Sequence, residues 1–445
     1  MNSILPGGTI GILGGGQLGR MLAMEGRRMG FRIGVLDPVA NGPAAQVADF
    51  HVESELTDTQ RVMNFVDQVD VVTIETELVP WMLLADIESG KATRPSSSVL
   101  ALVQDRLVQR EFLQDHRFPQ TAFASVKDHA SLTTAAQRVA FPAILKKRRS
   151  GYDGKGQIRV AGVEHLNEAW RELGEVPSVL EAVAPFKMEL SVILARSLHG
   201  EIQLYPIAEN AHRQNILHTT RVPARVDDTV RFRAEELAVS LAEALEYCGV
   251  MAVELFLLED DSLLINEVAP RPHNSGHFTF GACITSQFEQ HLRAICGLPL
   301  GDPSLMNPVV MVNLLGDLWR NGPPRWDRLL SDHQVRLHLY GKTQAGPGRK
   351  MGHFLLLTEN PEQALNQAEI LLHSLTQDHP AASSLTAGYS AGDVFRAQTN
   401  DQKEGGAVEQ TGAETRTALS SFPMAPGSSP EYTHDRLRPR METPS

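Results

Sequence analysis

The chain has 445 residues, 42% apolar and 21% charged, which excludes a fibrous or wholly disordered protein and predicts about three domains. Its formal net charge of −12 disfavours nonspecific nucleic-acid binding, and no run of about 18 apolar residues marks a membrane span. An anionic substrate would need local basic groups set against the overall field. Met1 to Pro6 shows neither a basic nor a long apolar region, so no signal peptide is expected. Three widely spaced cysteines, Cys248, Cys283 and Cys296, fit neither a disulfide framework nor a zinc site. A reducing cytoplasm is the expected location, with Cys283 and Cys296 as small core residues.

The elements begin with a βαβ rhythm. Thr9 to Leu13 predicts a strand, Arg20 to Met29 a helix, Phe31 to Leu36 a second strand and Val69 to Ile74 a later one. Such alternation predicts a parallel sheet covered by helices. Val99 to Asp115 predicts one helix. Pro142 to Lys146 predicts a strand running into a basic glycine-rich turn. Strands follow at Val179 to Val183, Glu189 to Ala195 and Ile202 to Ile207, then a helix at Arg233 to Tyr247. Val250 to Val268 reads as a hairpin with a four-residue loop, Glu259 to Ser262. A helix is expected at Ser286 to Cys296, strands at Val309 to Leu315 and Val335 to Leu339, and a helix from Asn360-Pro361 to about Leu375. Residues 397–445 are rich in Gly, Pro, Ser, Thr, Gln and Glu, and predict a disordered tail.

Four groups of residues carry chemistry. Gly14-Gly15-Gly16-Gln17-Leu18-Gly19 fits G-x-G-x-x-G between a strand and a helix, where backbone N–H groups hold an anion. With Asp37 ending the next strand, these glycines alone also suit a nicotinamide enzyme. Residues 146–157 place five cations around three glycines after an apolar strand. That composition suits a lid that closes on polyphosphate, in preference to a solvated basic hairpin.

In the predicted hairpin, a four-residue loop sets Leu258 opposite Leu263 and therefore Glu254 opposite Glu267. Two carboxylates that close repel unless a cation or proton lies between them. Mg²⁺ would fit, with Asn266 as a neutral oxygen donor. The alternative is a pairing of one Glu with Arg271, and a one-residue bulge would send the acids to opposite faces. The loop Pro270 to His277 follows at once. Arg271 suits a phosphate, and His273 and Asn274 a substrate heteroatom. Lys342 and the segment 346–350 form another basic group, read equally as anion-binding or as surface. No G-x-S-x-G, Walker A or H-E-x-x-H motif occurs.

Together these residues resemble the ATP-grasp superfamily, and within it the N5-carboxyaminoimidazole ribonucleotide synthetases of purine biosynthesis. The resemblance spans about residues 7–377 and rests on segments 14–21, 73–77, 146–157, 266–277 and 347–353. Two positions depart from the family pattern: Leu78 replaces the usual Asn or His, and Ser150 replaces a Gly. The resemblance implies an α/β and α+β protein with the ATP-grasp fold. An N-terminal parallel-sheet domain (1–104) would bind substrate, a lid domain would span 105–185, a mixed-sheet catalytic domain 186–377, and a tail 378–445.

It also implies residue roles. ATP would be held by Arg106, Lys146, Gly151, Tyr152, Asp153, Gly154, Lys155, Gly156, Gln157, the hinge Glu181, Ala182, Val183 and Ala184, and by Glu189, His212, Asn266 and Glu267. Glu254 and Glu267 would bind Mg²⁺ or Mn²⁺. Aminoimidazole ribonucleotide would meet Gln17, Glu75, Tyr152, Asp153, Lys155, Arg271, His273, Lys342, Arg349 and Lys350. Asp153, Lys155, Arg271 and His273 would form the catalytic set, with bicarbonate as co-substrate. The implied partners are small molecules and a second copy of the chain, with neither nucleic acid nor membrane. A different ATP-grasp ligase, a nicotinamide oxidoreductase and a nucleotide sensor are the competing readings.

Overall fold

The computed structural model describes residues 3–149 and 156–376. The expectations for Ser150 to Lys155 and for the tail from 378 fall outside these residues.

Among the described residues the strands form three sheets. The first is parallel, in the order Phe50–Val52, Arg32–Leu36, Thr9–Leu13, Val71–Ile74. Its two middle strands are buried along nearly their whole length, which is why they read as continuous apolar runs. The chain winds from Thr9–Leu13 to one side and returns to the other at Val71–Ile74. A crevice therefore opens between the carboxyl ends of these two strands, the place where ligands bind in open α/β sheets. Helix Gln17–Arg28 starts at this crevice.

The second sheet is small and antiparallel: Phe123–Val126, Ser178–Ala182, Ala143–Lys147, Gln157–Val160. Gly156 and Gln157 open its last strand, with Gln157 paired to Lys146. Ala182 and Val183 are fixed by backbone bonds from their N–H groups to the carbonyls of Ala122 and Pro142, at 2.9 and 3.1 Å. The chain then crosses to the third sheet, where Phe186–Arg196 begins.

The third sheet runs Leu263–Ala269, Gly249–Leu258, Phe186–Arg196, Ala208–Arg213, Ile216–Val222, Val309–Leu315, Lys350–Leu357, Val335–Leu339, with Ile202–Leu204 added beside Phe186–Arg196. Every described pairing in it is antiparallel, not mixed as expected.

Several elements differ from the sequence reading. The run 99–115 is two helices, Ser97–Gln104 and Arg106–Asp115, because Asp105 adopts an extended backbone between them. Its carboxylate caps the second helix by accepting from Leu107 N–H at 3.1 Å. It also binds Arg148 at 2.9 and 2.7 Å and Arg149 at 3.1 Å. The expected strand to Ile207 stops at Leu204, and the segments Ala208–Arg213 and Ile216–Val222, too polar to read as core, are strands. Lys350 opens a strand instead of closing a surface loop.

Helix Gln287–Ile295 joins the parallel sheet to the third sheet. Its Phe288, Leu292 and Ile295 share one apolar cluster with Ile10, Ile12, Leu22 and Val35. At about 25 cal/mol per Å² of apolar area removed from water, such shared burial is the main term holding two layers together. Cys283 and Cys296 lie in the core as expected, and burial pushes both thiols up to about 12.

Candidate active site

The hairpin delivers the two acids, by a route the sequence reading did not foresee. The inner register pairs Leu257 with Leu263, Phe256 with Leu264 and Leu255 with Ile265. A regular ladder would then set Glu254 against Asn266 and turn Glu267 to the other face. Instead the register shifts between Glu254 and Leu255, Asn266 is left unpaired as a bulge, and Glu254 faces Glu267. The feared bulge exists, but it compensates a loop one residue longer than expected.

Arg110 holds that bulge. Its guanidinium donates to the carbonyl oxygens of Ile265 and Asn266 at 3.1 and 2.9 Å, and to both oxygens of Glu181 at 3.2 and 2.9 Å. Lys146 Nζ joins Glu181 Oε2 at 2.8 Å. Burial would raise the Glu181 carboxyl, but Lys146, Arg110 and Arg106 hold it well below the usual range. So Glu181 is a buried counter-ion whose side chain is spent on protein cations, while Lys146 stands at the lid strand as expected. Sequence reasoning passed over Arg110; its place on the buried face of a helix, among Leu107 and Leu113, was the available signal.

Around Glu254 the third sheet gathers further expected residues. Across two neighbouring strands, Glu254 lies opposite Ser191, and Asn210 donates to Ser191 Oγ at 2.6 Å. Glu189 Oε2 sits 2.6 Å from His212 Nδ1. Burial disfavours a charged His212, but Glu189 outweighs it and raises the imidazole above its ordinary value. Glu254 itself is pushed up to about 8, first by burial and then by the Glu267 carboxylate. His273 Nδ1 lies 3.7 Å from Glu254 Oε1. Two hard oxygen donors opposed on one sheet face fit a divalent cation.

The loop after the hairpin divides its side chains. His273 faces the acids, and burial, then Arg271 and Lys350, keep its imidazole well below the ordinary value and so neutral. Arg271 binds neither hairpin acid; its Nε donates to Glu77 Oε2 at 2.8 Å, and the paired guanidinium remains charged beside Glu75 and Glu267. Asn274 is buried and exchanges amide hydrogen bonds with Asn313 at 3.1 and 2.9 Å, so its amide is engaged within the protein. His277 points away into a buried group with His353 and Tyr340, at ring separations of 5.0 and 6.2 Å. Lys350 acts electrostatically on Glu254, His273 and His212, so it belongs to the site. Lys342 Nζ donates to Lys350 O at 2.7 Å. Arg349 is exposed and bonds Gln344 O at 2.8 Å, at the rim.

The glycine turn is an anion site whose anions are the protein's own. Gly15 N–H donates to Asp37 Oδ2 at 2.7 Å; Gly16 and Gly19 donate to the two Glu75 oxygens at 3.0 and 3.2 Å. Burial raises the Glu75 carboxyl, and these two N–H groups partly offset it. Gln17 lies half-buried in the first turn beside them. The expected phosphate seat is thus filled by Glu75, and Asp37, the support for a nicotinamide reading, is consumed by the turn. Arg148 and Arg149 are likewise engaged with Asp105 and are not free lid cations. Arg106 begins its helix with its N–H on Arg148 O at 2.9 Å.

A small antiparallel sheet, a large antiparallel sheet and opposed acids beside a Gly-rich α/β crevice define an ATP-grasp protein. Family models match in sequence: the ribonucleotide synthetase preATP-grasp domain over 8–104, the ATP-grasp domain over 111–288, and the phosphoribosylaminoimidazole carboxylase C-terminal domain over 309–367. The N5-carboxyaminoimidazole ribonucleotide synthase of Bacillus subtilis is 41% identical over 367 residues, covering 82% of this chain and 95% of the relative. A crystal structure of the ADP complex of an N5-carboxyaminoimidazole ribonucleotide synthetase is similar with a TM-score of 0.79 and 42% identity, over 83% of this chain and 98% of that one. The Aspergillus clavatus N5-carboxyaminoimidazole synthase, in complex with ADP and 5-aminoimidazole ribonucleotide, gives 0.78 at 33% identity, over 84% and 99%. The chain belongs to the N5-carboxyaminoimidazole ribonucleotide synthase family of ATP-grasp enzymes.

Proposed function

We propose that this enzyme carboxylates the exocyclic amine of 5-aminoimidazole ribonucleotide with ATP and bicarbonate, giving the N5-carboxyamino product, ADP and phosphate. Family membership supports the reaction. The observation that carries the site is the pair Glu254 and Glu267, opposed on one sheet face with His273, Arg271 and Lys350 beside them.

A bicarbonate oxygen attacks the γ-phosphorus, and the bond to the ADP oxygen breaks. The amine nitrogen then attacks the carboxyl carbon, phosphate leaves, and the amine gives up a proton. Carbon dioxide released from the carboxyphosphate is an equivalent acceptor. Lys146 would meet the nucleotide, as would residues 151–157 with Tyr152, Asp153 and Lys155. Glu254, Glu267 and the Asn266 oxygen would hold Mg²⁺ or Mn²⁺, which supplies positive charge against the triphosphate. Glu189 and His212 would meet the nucleotide.

Ser275 N–H points at His273 Nδ1 at 3.4 Å and its hydroxyl lies 2.8 Å away, so Nδ1 accepts and Nε2–H is left to donate. A neutral donor of that kind suits a bicarbonate or carboxyphosphate oxygen, with Arg271 supplying the charge. Glu75 and Gln17, at the mouth of the parallel sheet, would hold the ribonucleotide, with Lys342, Lys350 and Arg349 toward its phosphate. In this reading residues 1–104 bind the ribonucleotide, 105–185 form the lid and 186–377 carry the carboxylates. The enzyme is taken as a cytoplasmic homodimer on family membership.

The test is phosphate release with ATP, Mg²⁺ and bicarbonate. Adding 5-aminoimidazole ribonucleotide should stimulate it and yield one carboxylated product per phosphate. Absence of stimulation would reject the substrate.

A further inference from the structure

Two buried side chains on one helix touch both halves of the site, and the activity above assigns neither a role. Gln287 and His291 lie one turn apart on helix Gln287–Ile295, on one face, and both are 0% exposed.

Gln287 clamps the His273 backbone at both ends. Its Oε1 accepts from His273 N–H at 3.0 Å, and its Nε2 donates to His273 O at 2.8 Å. Nε2 also reaches His277 Nδ1 at 3.2 Å. These three contacts fix which end of the amide is oxygen. The approach needs a glycine at 276, where a Cβ would stand 2.4 Å from Gln287 Oε1.

His291 spans the two sheets. Val250 N–H donates to its Nδ1 at 3.0 Å, and its Nε2 lies 2.8 Å from Thr73 Oγ1. Because Nδ1 accepts, the proton sits on Nε2 and is donated to the threonine hydroxyl. A glycine is again required: Gly249 has φ +124, and a Cβ there would stand 2.9 Å from His291 Cε1. Thr73 precedes Glu75 by two residues, and Val250 precedes Glu254 by four on its strand. The same helix reaches helix Gln17–Arg28 through an ion pair between Glu289 and Arg28.

We infer that Gln287 and His291 are positioning residues. They hold the ribonucleotide side (Glu75) and the phosphoryl side (His273, Glu254) in register, so that the amine meets the activated carboxyl before water does. Registration of reacting groups is worth several orders of magnitude in rate, and a shift of about 1 Å is enough to lose much of it. The inference rests on the reading of the site given above.

The experiment uses the full chain with Thr73→Val, which removes one hydroxyl at nearly constant shape, Thr73→Ser as the rescue, and Gln287→Glu, which keeps shape but, when ionised, cannot donate to His273 O. Phosphate and carboxylated product are measured together. In Thr73→Val and Gln287→Glu, product per phosphate should fall at least fivefold and KM for the ribonucleotide should rise, while KM for ATP stays within about twofold. Thr73→Ser should restore the ratio. A wild-type ratio and ribonucleotide KM in both variants would overturn the inference, as would an equal loss of phosphate and product with both KM values unchanged. Should Gln287→Glu fail to fold, Thr73→Val with its serine rescue decides alone. If the wild-type chain makes no carboxylated product, the reading of the site fails instead, which separates the two.

Discussion

Glu254 is 15% exposed and faces Glu267 across a two-strand ribbon, with His273 Nδ1 3.7 Å away. Held up to about 8, it binds a proton more tightly folded than unfolded, so its stabilising contribution is present below the usual carboxylate range and is lost as pH rises through 8. Glu254→Gln cannot suffer that loss. At pH 8, without nucleotide or metal, the variant should therefore be more stable than the wild type by about 1–3 kcal/mol. Its phosphate release should nevertheless collapse if the proposed pair of metal ligands is broken. Urea unfolding beside a phosphate assay checks both; a destabilised variant would show that Glu254 is held by contacts and not strained by its neighbour.

At the scale of elements, the ribbon shows what a sequence discloses and what it withholds. The opposition of Glu254 and Glu267 is expected from strand alternation and a four-residue loop, and it holds because a longer loop and a bulge offset each other. The bulge at Asn266 was not legible, since it depends on Arg110 reaching from helix Arg106–Asp115 to the Ile265 and Asn266 carbonyls. The same limit hid Asp105 as a helix break and Glu75 as the anion of the glycine turn. Each is a side chain satisfied by a partner far away in sequence, and periodicity records only near neighbours. The parallel sheet was legible because its middle strands are buried on both faces. The strands Ala208–Arg213 and Ile216–Val222 were not, because they carry a polar row facing the site.

Arg110 tests that dependence. A lysine keeps the charge but cannot form the two-point contact with Glu181 and two carbonyl bonds at once. Arg110→Lys should cost about 2–4 kcal/mol, with a rise of fivefold or more in KM for ATP as the bulge and Lys146 lose their anchor. Unchanged affinity for ATP would detach the bulge from the nucleotide site.

Over the whole molecule, the parallel sheet and the large antiparallel sheet meet at a seam of neutral histidines. His277, His291 and His353 are 0% exposed, and His338 stacks on His353 at 4.7 Å. Burial lowers His291 to about 3 and His338 to about 4, and takes His277 and His353 well below the ordinary value. Each therefore binds fewer protons folded than unfolded. Stability from these groups is complete above the unfolded value near 6.5 and is lost as pH falls below it, by about 1.4 kcal/mol per histidine per pH unit. Glu254, Glu75, Glu25 and His212, all raised, work in the opposite direction, against five lowered imidazoles once His273 is included. The urea midpoint of the ligand-free chain should consequently drop between pH 7 and pH 5.5, well before the carboxylates paired with arginine begin to protonate. An unchanged midpoint would mean that the imidazoles at this seam take up protons in the folded state, and that the two sheets are not joined through a dry interface.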